Sequence, residues 1–265
     1  MTYIKQNKAA WEEAFDKRSE NWGKDRIQRL KEDPYPYLDE PILSEIKALA
    51  CQDKDVAQFC CNDGRELLSI AKHGVKSATG FDIAENMIDY AKATAKEAGI
   101  KCDFVATNIL DIPESYHGRF DLILMTIGVL IWFDDLEVFF KKVSDCLKPG
   151  GKVIVHELHP FTNMLGCDGE EDYDPKDPKK LIYPYFNTAP RTSESGILYI
   201  TDHHYDSKVL TDFVHPLDET LNAMIHNHLN LLKLEENDVD ISELFNGLSH
   251  QAIPLSMLII SQKCD

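Results

Sequence analysis

Asp82 is the residue whose type and position most directly imply chemistry. It ends a short run, SATGFD, about twenty residues after the turn Asn62-Asp63-Gly64, which itself closes an apolar run from Val56 to Cys61. A carboxylate at the tip of a second strand, placed after a tight strand-to-helix turn, can accept both hydroxyls of a ribose. The turn lets backbone N–H groups come close to the same ligand. The pattern points to a nucleoside pocket. The competing role for Asp82 is the N-cap of a helix beginning at Glu85, because Asp is a good cap.

Other residues at strand ends extend this pocket. Asn108 follows a run ending in VAT, and Thr126-Ile127-Gly128 follows FDLILM. Open α/β sheets place ligands at such carboxyl ends, although an isolated Asn there also serves as a turn residue. His156 and His159 fall at the end of a later run, VIVHELHP. Either is a candidate general base, and either is also read as structural. An HxxH pair supplies two ligands where a metal site needs three or four, so no metal is expected.

The elements that position these residues alternate. The runs 56–60, 77–82, 102–106, 120–126 and 151–157 read as strands, with helices over 64–73, 85–98 and 134–147. Leu147-Lys148-Pro149-Gly150-Gly151 stops the last helix, because proline cannot continue it and the glycines permit a reversal. Strands that alternate with helices imply parallel pairing, and continuous apolar runs imply cover on both faces. Before this core, residues 6–20 read as a helix, 21–37 as a loop or lid, and Pro41 opens a helix to Ala50. After it, 161–200 is acidic and turn-rich, then aromatic. Segments Ile197–His203 and Lys208–His215 read as an antiparallel pair. A helix follows to Asn227, and Leu229–Glu235 and Pro254–Lys263 read as final strands. The expected organisation is a helical lid over 1–50, a nucleotide-binding core over 51–160, an inserted cap over 161–215 and a closing segment over 216–265.

Composition sets bounds. The chain has 265 residues, 43% of them hydrophobic, which is enough for a real core. A net charge of −17 argues against nucleic acid, whose phosphates need clustered Lys and Arg. No apolar run reaches the roughly 18 residues of a membrane span. Seven scattered cysteines without a CxxC fit reduced thiols, so a cytoplasmic location is expected.

Four pieces in this order, QFCCNDGRE, TGFDIAENMI, FVATNILDIP and FDLILMTIGVLIWFDD followed by LKPGGKVIVHELHP, resemble the class I S-adenosylmethionine (SAM)-dependent methyltransferases of the small-molecule type. The resemblance is good over about 55–160 and loose in the C-terminal strands. It implies a Rossmann-like, seven-stranded, mostly parallel sheet with helices on both faces and the last strand antiparallel. It also implies SAM as cofactor and a small-molecule methyl acceptor, with the enzyme a monomer or homodimer. By the same resemblance the cofactor would meet Phe59, Cys60, Cys61, Asn62 and Gly64 at the first turn, and Asp82, Ile83 and Met87 at the second. Asn108 and Ile109 would meet the adenine, Thr126 would stand beside the methionine part, and Trp11 would close from the lid. Trp132, Tyr183 and Tyr185 would face the acceptor, while Ile83, Met87 and the aromatics are also read as plain core. The family's first turn is acid-x-Gly-x-Gly-x-Gly. Here its positions are Gln58, Cys60, Asn62 and Gly64, so only the last glycine is kept and the acid is missing. Asn tolerates left-handed φ, which suits Asn62. Two rivals stand beside this reading: an NAD(P)-dependent oxidoreductase, disfavoured by the absence of GxGxxG, and a non-catalytic nucleoside-binding protein of the same fold.

Overall fold

The computed structural model describes residues 2–167, 170, 172–187, 189–245 and 247–264. Five strands build the parallel part of one sheet: β1 (Asp55–Phe59), β2 (Ser77–Asp82), β3 (Asp103–Ala106), β4 (Phe120–Met125) and β5 (Leu147–Leu158). Two late strands, β8 (Leu229–Asn237) and β9 (Ser256–Lys263), complete it in the order β3-β2-β1-β4-β5-β9-β8. β9 runs antiparallel to both of its neighbours, as expected from the resemblance. The order reverses direction at β1, between β2 and β4. In open sheets of this kind the ligand crevice lies at such a point, at the carboxyl ends of the strands.

The period of two along each strand sends alternate residues to opposite faces. Val56, Leu122, Leu124, Ile154, Leu258 and Ile260 pack with helices α3 (Glu40–Leu49), α4 (Arg65–Ala71) and α5 (Glu85–Ala98). Ala57, Phe59, Phe81, Ile123, Val153 and Val155 pack with α6 (Leu136–Cys146) and α8 (Leu217–His226). Helix ends follow local chemistry. The Asp135 side chain accepts the Val138 N–H at 3.1 Å and starts α6. Left-handed Gly99 ends α5.

Above the crevice lies α1 (Tyr3–Asp16), with Ala10, Ala14 and Phe15 buried against Ala84, Met87, Ile197 and Ile200. It starts and stops earlier than the expected 6–20. The segment 21–37 is not a plain loop, because it contains α2 (Arg26–Glu32). That helix was hard to see because its buried residues are Leu30 and an arginine, Arg26. The pairing expected between 197–203 and 208–215 is also corrected. Leu198–Thr201 is one helical turn, α7, because Ile197 and Ile200, three apart, both turn towards α1. The partner of β7 (Leu210–Asp212) is β6 (Arg191–Ser193), tied across by Arg191 and Asp212. Asn7 on α1 locks the lid to β7: its amide donates to the Thr211 carbonyl (2.7 Å) and accepts the Thr211 N–H (2.8 Å).

Candidate cofactor and methyl-transfer site

The first turn keeps a glycine-like backbone without the glycines. Cys60 and Asn62 both take left-handed φ, +51° and +52°, where the family has Gly. Gly64, at φ +77°, could not be replaced, because a Cβ there would lie 2.4 Å from the Phe104 ring. The turn is fastened to the second strand. The Asn62 N–H donates to Asp82 Oδ2 at 2.8 Å, and the Ala84 N–H donates to Asp82 Oδ1 at 3.0 Å. Both carboxylate oxygens thus accept from backbone, on a half-buried side chain at the strand tip that has acceptor capacity to spare. That is the acceptor pair a ribose diol needs. Burial pushes the Asp82 carboxyl up to about 6, against the lowering effect of its backbone donors.

Gln58 replaces the family's acid and is engaged at both ends of its amide. Its Oε1 accepts the Leu67 N–H (3.1 Å), and its Nε2 donates to Thr126 Oγ1 (3.3 Å). It therefore joins the start of α4 to the end of β4. Glu157, buried at the end of β5, does similar work on the next loop. It accepts the N–H groups of Gly128 (2.6 Å), Val129 (2.8 Å), Leu130 (3.3 Å) and Leu158 (2.9 Å). These bonds fix the turn Leu130–Trp132 and so present Trp132. Burial still raises the Glu157 carboxyl above its usual range.

Trp132 meets the lid. Its ring packs edge-on against Trp11, with centroids 5.5 Å apart at 81°. Trp11 also lies 6.5 Å from Tyr199 on α7, and Trp22 lies 6.0 Å from the same ring. The first turn is held from the lid by a buried ion pair between Arg26 and Asp63.

The structure brings Asn62, Asp82 and Ile83 together at one end of the sheet, with Thr126 beside them and Trp11 and Trp132 above. The side chains of Phe59, Cys61, Met87 and Ile109 are buried in the core, so these positions offer mainly backbone or packing. Phe59 packs on Phe81, and Met87 faces the lid. Asn108 caps the turn at 109–111: its Oδ1 accepts the Leu110 N–H and its Nδ2 donates to Asp111. The phenol of Tyr183 donates to Glu170 (3.2 Å), and that of Tyr185 accepts the Leu217 N–H (3.0 Å). Neither hydroxyl is thereby joined to Trp132. His156 faces the α3 side of the sheet, with Nδ1 3.8 Å from Asp39, and burial holds its ring towards neutral. His159 accepts the Phe161 N–H and lies 2.9 Å from Glu236. The strand period puts Glu157, not its neighbour His156, on the side of the Thr126–Trp132 loop.

Sequence reasoning missed Glu157, Tyr199 and Arg26. For Glu157 a signal existed, an acid inside an otherwise apolar strand. A cleft of about 460 Å³ opens at the opposite end of the sheet, near Ser77 and Cys102. It gathers the starts of β2 and β3, where parallel sheets do not place ligands. Among the described residues no cluster of three or more His, Cys, Asp or Glu could hold a metal ion, and no helix is long and apolar enough to cross a membrane.

Residues 56–151 match the family model of a methyltransferase domain. A ubiquinone biosynthesis O-methyltransferase of Idiomarina loihiensis is 26% identical over 191 residues, 71% of this chain and 72% of that one. Over its central part the chain is thus similar to methyltransferases, in sequence and in fold. A SAM-dependent methyltransferase structure from Listeria monocytogenes superposes with a TM-score of 0.64 at 21% identity, over 84% of this chain and 97% of that one. The geranyl diphosphate C-methyltransferase of Streptomyces coelicolor, solved with Mg2+, geranyl diphosphate and S-adenosyl-L-homocysteine, gives 0.60 at 12% identity, over 99% of this chain and 98% of that one. The nicotinamide reading is thereby set aside, and SAM is the cofactor of this methyltransferase. The Asp82 carboxylate at the tip of β2 has the acceptor chemistry that a ribose diol takes.

Proposed function

We propose that this methyltransferase alkylates a small, largely apolar or flat molecule in a chamber roofed by α1, the cap and the Thr126–Trp132 loop. The observation that carries this reading is the contact of Trp11 with Trp132. Two indoles from distant segments, one on α1 and one on the loop after β4, meet there, which supports an apolar wall for the acceptor. Bound SAM supplies a methyl group on a positive sulfonium, already activated for in-line displacement. The chain's own task is then to align the acceptor, exclude water and set a compatible field. Gln58 and Glu157 set the floor by holding Thr126 and the loop after it. The indoles give an apolar wall and suit a cationic neighbour. No general base is assigned, since His156 and His159 are turned to Asp39 and Glu236.

The net charge of −17 supports a small acceptor over a nucleic acid. The ubiquinone biosynthesis O-methyltransferase relative supports small molecules methylated on oxygen as the first class to try. Seven scattered cysteines without a CxxC suit a reducing cytoplasm. The test is turnover of SAM to S-adenosylhomocysteine with panels of phenols, amines, isoprenoids and bulk tRNA. Turnover on small acceptors is expected, and it should fall with Trp132→Ala. Methylation of tRNA alone would overturn the proposal.

A further inference from the structure

The methionine end of the pocket poses a problem. The family's acid is replaced by Gln58, and both ends of that amide are spent within the protein. The two small glycine positions carry Cys60 and Asn62 instead. Asn62 is turned outward to the cap: its Nδ2 donates to the Tyr199 hydroxyl at 2.9 Å, across 137 residues of sequence. Because the phenol oxygen accepts in that bond, its own hydrogen is left to donate elsewhere. Among the described residues no acceptor takes it.

Tyr199 is half exposed, so its hydroxyl borders the solvent side of the crevice. Trp11 and Trp22 pack around the ring and fix its direction. The charges that bear on the phenol are those of Arg65, Asp63 and Asp82. Through Asn62, whose backbone N–H donates to Asp82, the phenol stands beside the first turn and one residue's reach from the ribose-binding carboxylate. Arg65 opens α4 directly after the turn. Its Nε bonds Glu66 at 2.8 Å, which leaves the terminal N–H groups of its guanidinium to bind an anion.

We propose that the cap completes the cofactor site, with the Tyr199 hydroxyl and the Arg65 guanidinium binding the carboxylate at the amino-acid end of the cofactor. The proposal rests on the methyltransferase assignment. A phenolic O–H and a guanidinium converging on one corner form charge-assisted bonds to a carboxylate, and a neutral nucleoside gains nothing from them. Asn62 holds the phenol in place, so the loss of glycine at this position has a use.

The test is calorimetric binding of three ligands: SAM, S-adenosylhomocysteine and 5′-methylthioadenosine, the same nucleoside without the amino-acid end. Tyr199→Phe keeps the ring and removes the hydroxyl. It is expected to weaken the first two ligands roughly ten-fold, the size of one lost charged hydrogen bond, and to leave 5′-methylthioadenosine within about two-fold. Arg65→Met should show the same selectivity, while Asp82→Ala should weaken all three ligands. Thermal melting establishes that each variant is folded. Two results overturn the proposal: unchanged SAM affinity in both Tyr199→Phe and Arg65→Met, or equal weakening of all three ligands by Tyr199→Phe. Failure of the unaltered protein to bind any of the three removes the methyltransferase assignment itself, which separates the two failures.

Discussion

The proposed ribose side and the proposed methionine side of the cofactor pocket are built from different materials. On the ribose side, Asp82 is held by two backbone N–H groups, those of Ala84, two residues on, and Asn62, twenty residues back. On the methionine side, the first turn is held by side chains from far away: Arg26 on Asp63, Tyr199 on Asn62 and Gln58 on Thr126. Backbone donors come with the fold and tolerate sequence change. Side-chain contacts must be specified pair by pair. The first side therefore keeps the family's residue, while the second departs from it at three positions and compensates with its lid and cap.

The largest effect should come from breaking the methionine side at its buried ion pair. Arg26 and Asp63 are almost fully buried, and Trp22, Tyr37 and Tyr90 surround the guanidinium. Arg26→Met leaves Asp63 charged and alone, which should cost about 3–5 kcal/mol in chemical denaturation. The double variant Arg26→Met/Asp63→Leu should regain most of that. A single-variant cost below about 1 kcal/mol would show that the turn holds itself and would remove the contrast between the two sides. Next in size is Glu157→Gln. It sets an amide donor against backbone N–H groups that now meet a carboxylate, and should cost about 2–3 kcal/mol of stability. Retained stability would mean that the loop after β4 is positioned by packing alone. Asp82→Ala follows: SAM affinity should fall at least ten-fold, about 1.4 kcal/mol. Unchanged affinity in a folded variant would remove Asp82 from the site.

The same contrast explains what could be read in advance. The strand and helix alternation from Asp55 to Leu158 was visible because buried parallel strands are continuous apolar runs broken by Asn, Asp, Gly and Pro. Asp82 was visible for the same local reason. α2 was hidden because its buried face includes an arginine whose partner lies 37 residues on. Leu198–Thr201 was read as strand because a four-residue stretch cannot distinguish alternation from one helical turn, and only its packing on α1 decides. Tyr199 had no local motif, and Glu157 showed only as an acid inside an apolar strand. Their roles depend on which loop the fold brings opposite them, and that is tertiary information.

The smallest effect is one of pH, and it separates binding from stability. Burial raises the Asp82 carboxyl to about 6, from an ordinary value of 3.8. The native state therefore holds its proton to higher pH than the unfolded chain does. This group's contribution to stability is fully present below pH 4 and is lost as pH rises through about 6. Binding runs the other way, because only the carboxylate accepts two ribose hydroxyls. At pH 5.5 about a quarter of the free sites are ionised, so SAM affinity should be roughly four-fold weaker than at pH 7.5. Asp82→Asn should abolish that dependence in calorimetric titrations across the range. If the dependence survives in Asp82→Asn, the titrating group lies elsewhere, and the ribose side is not the simple backbone-held carboxylate that sets it apart from the methionine side.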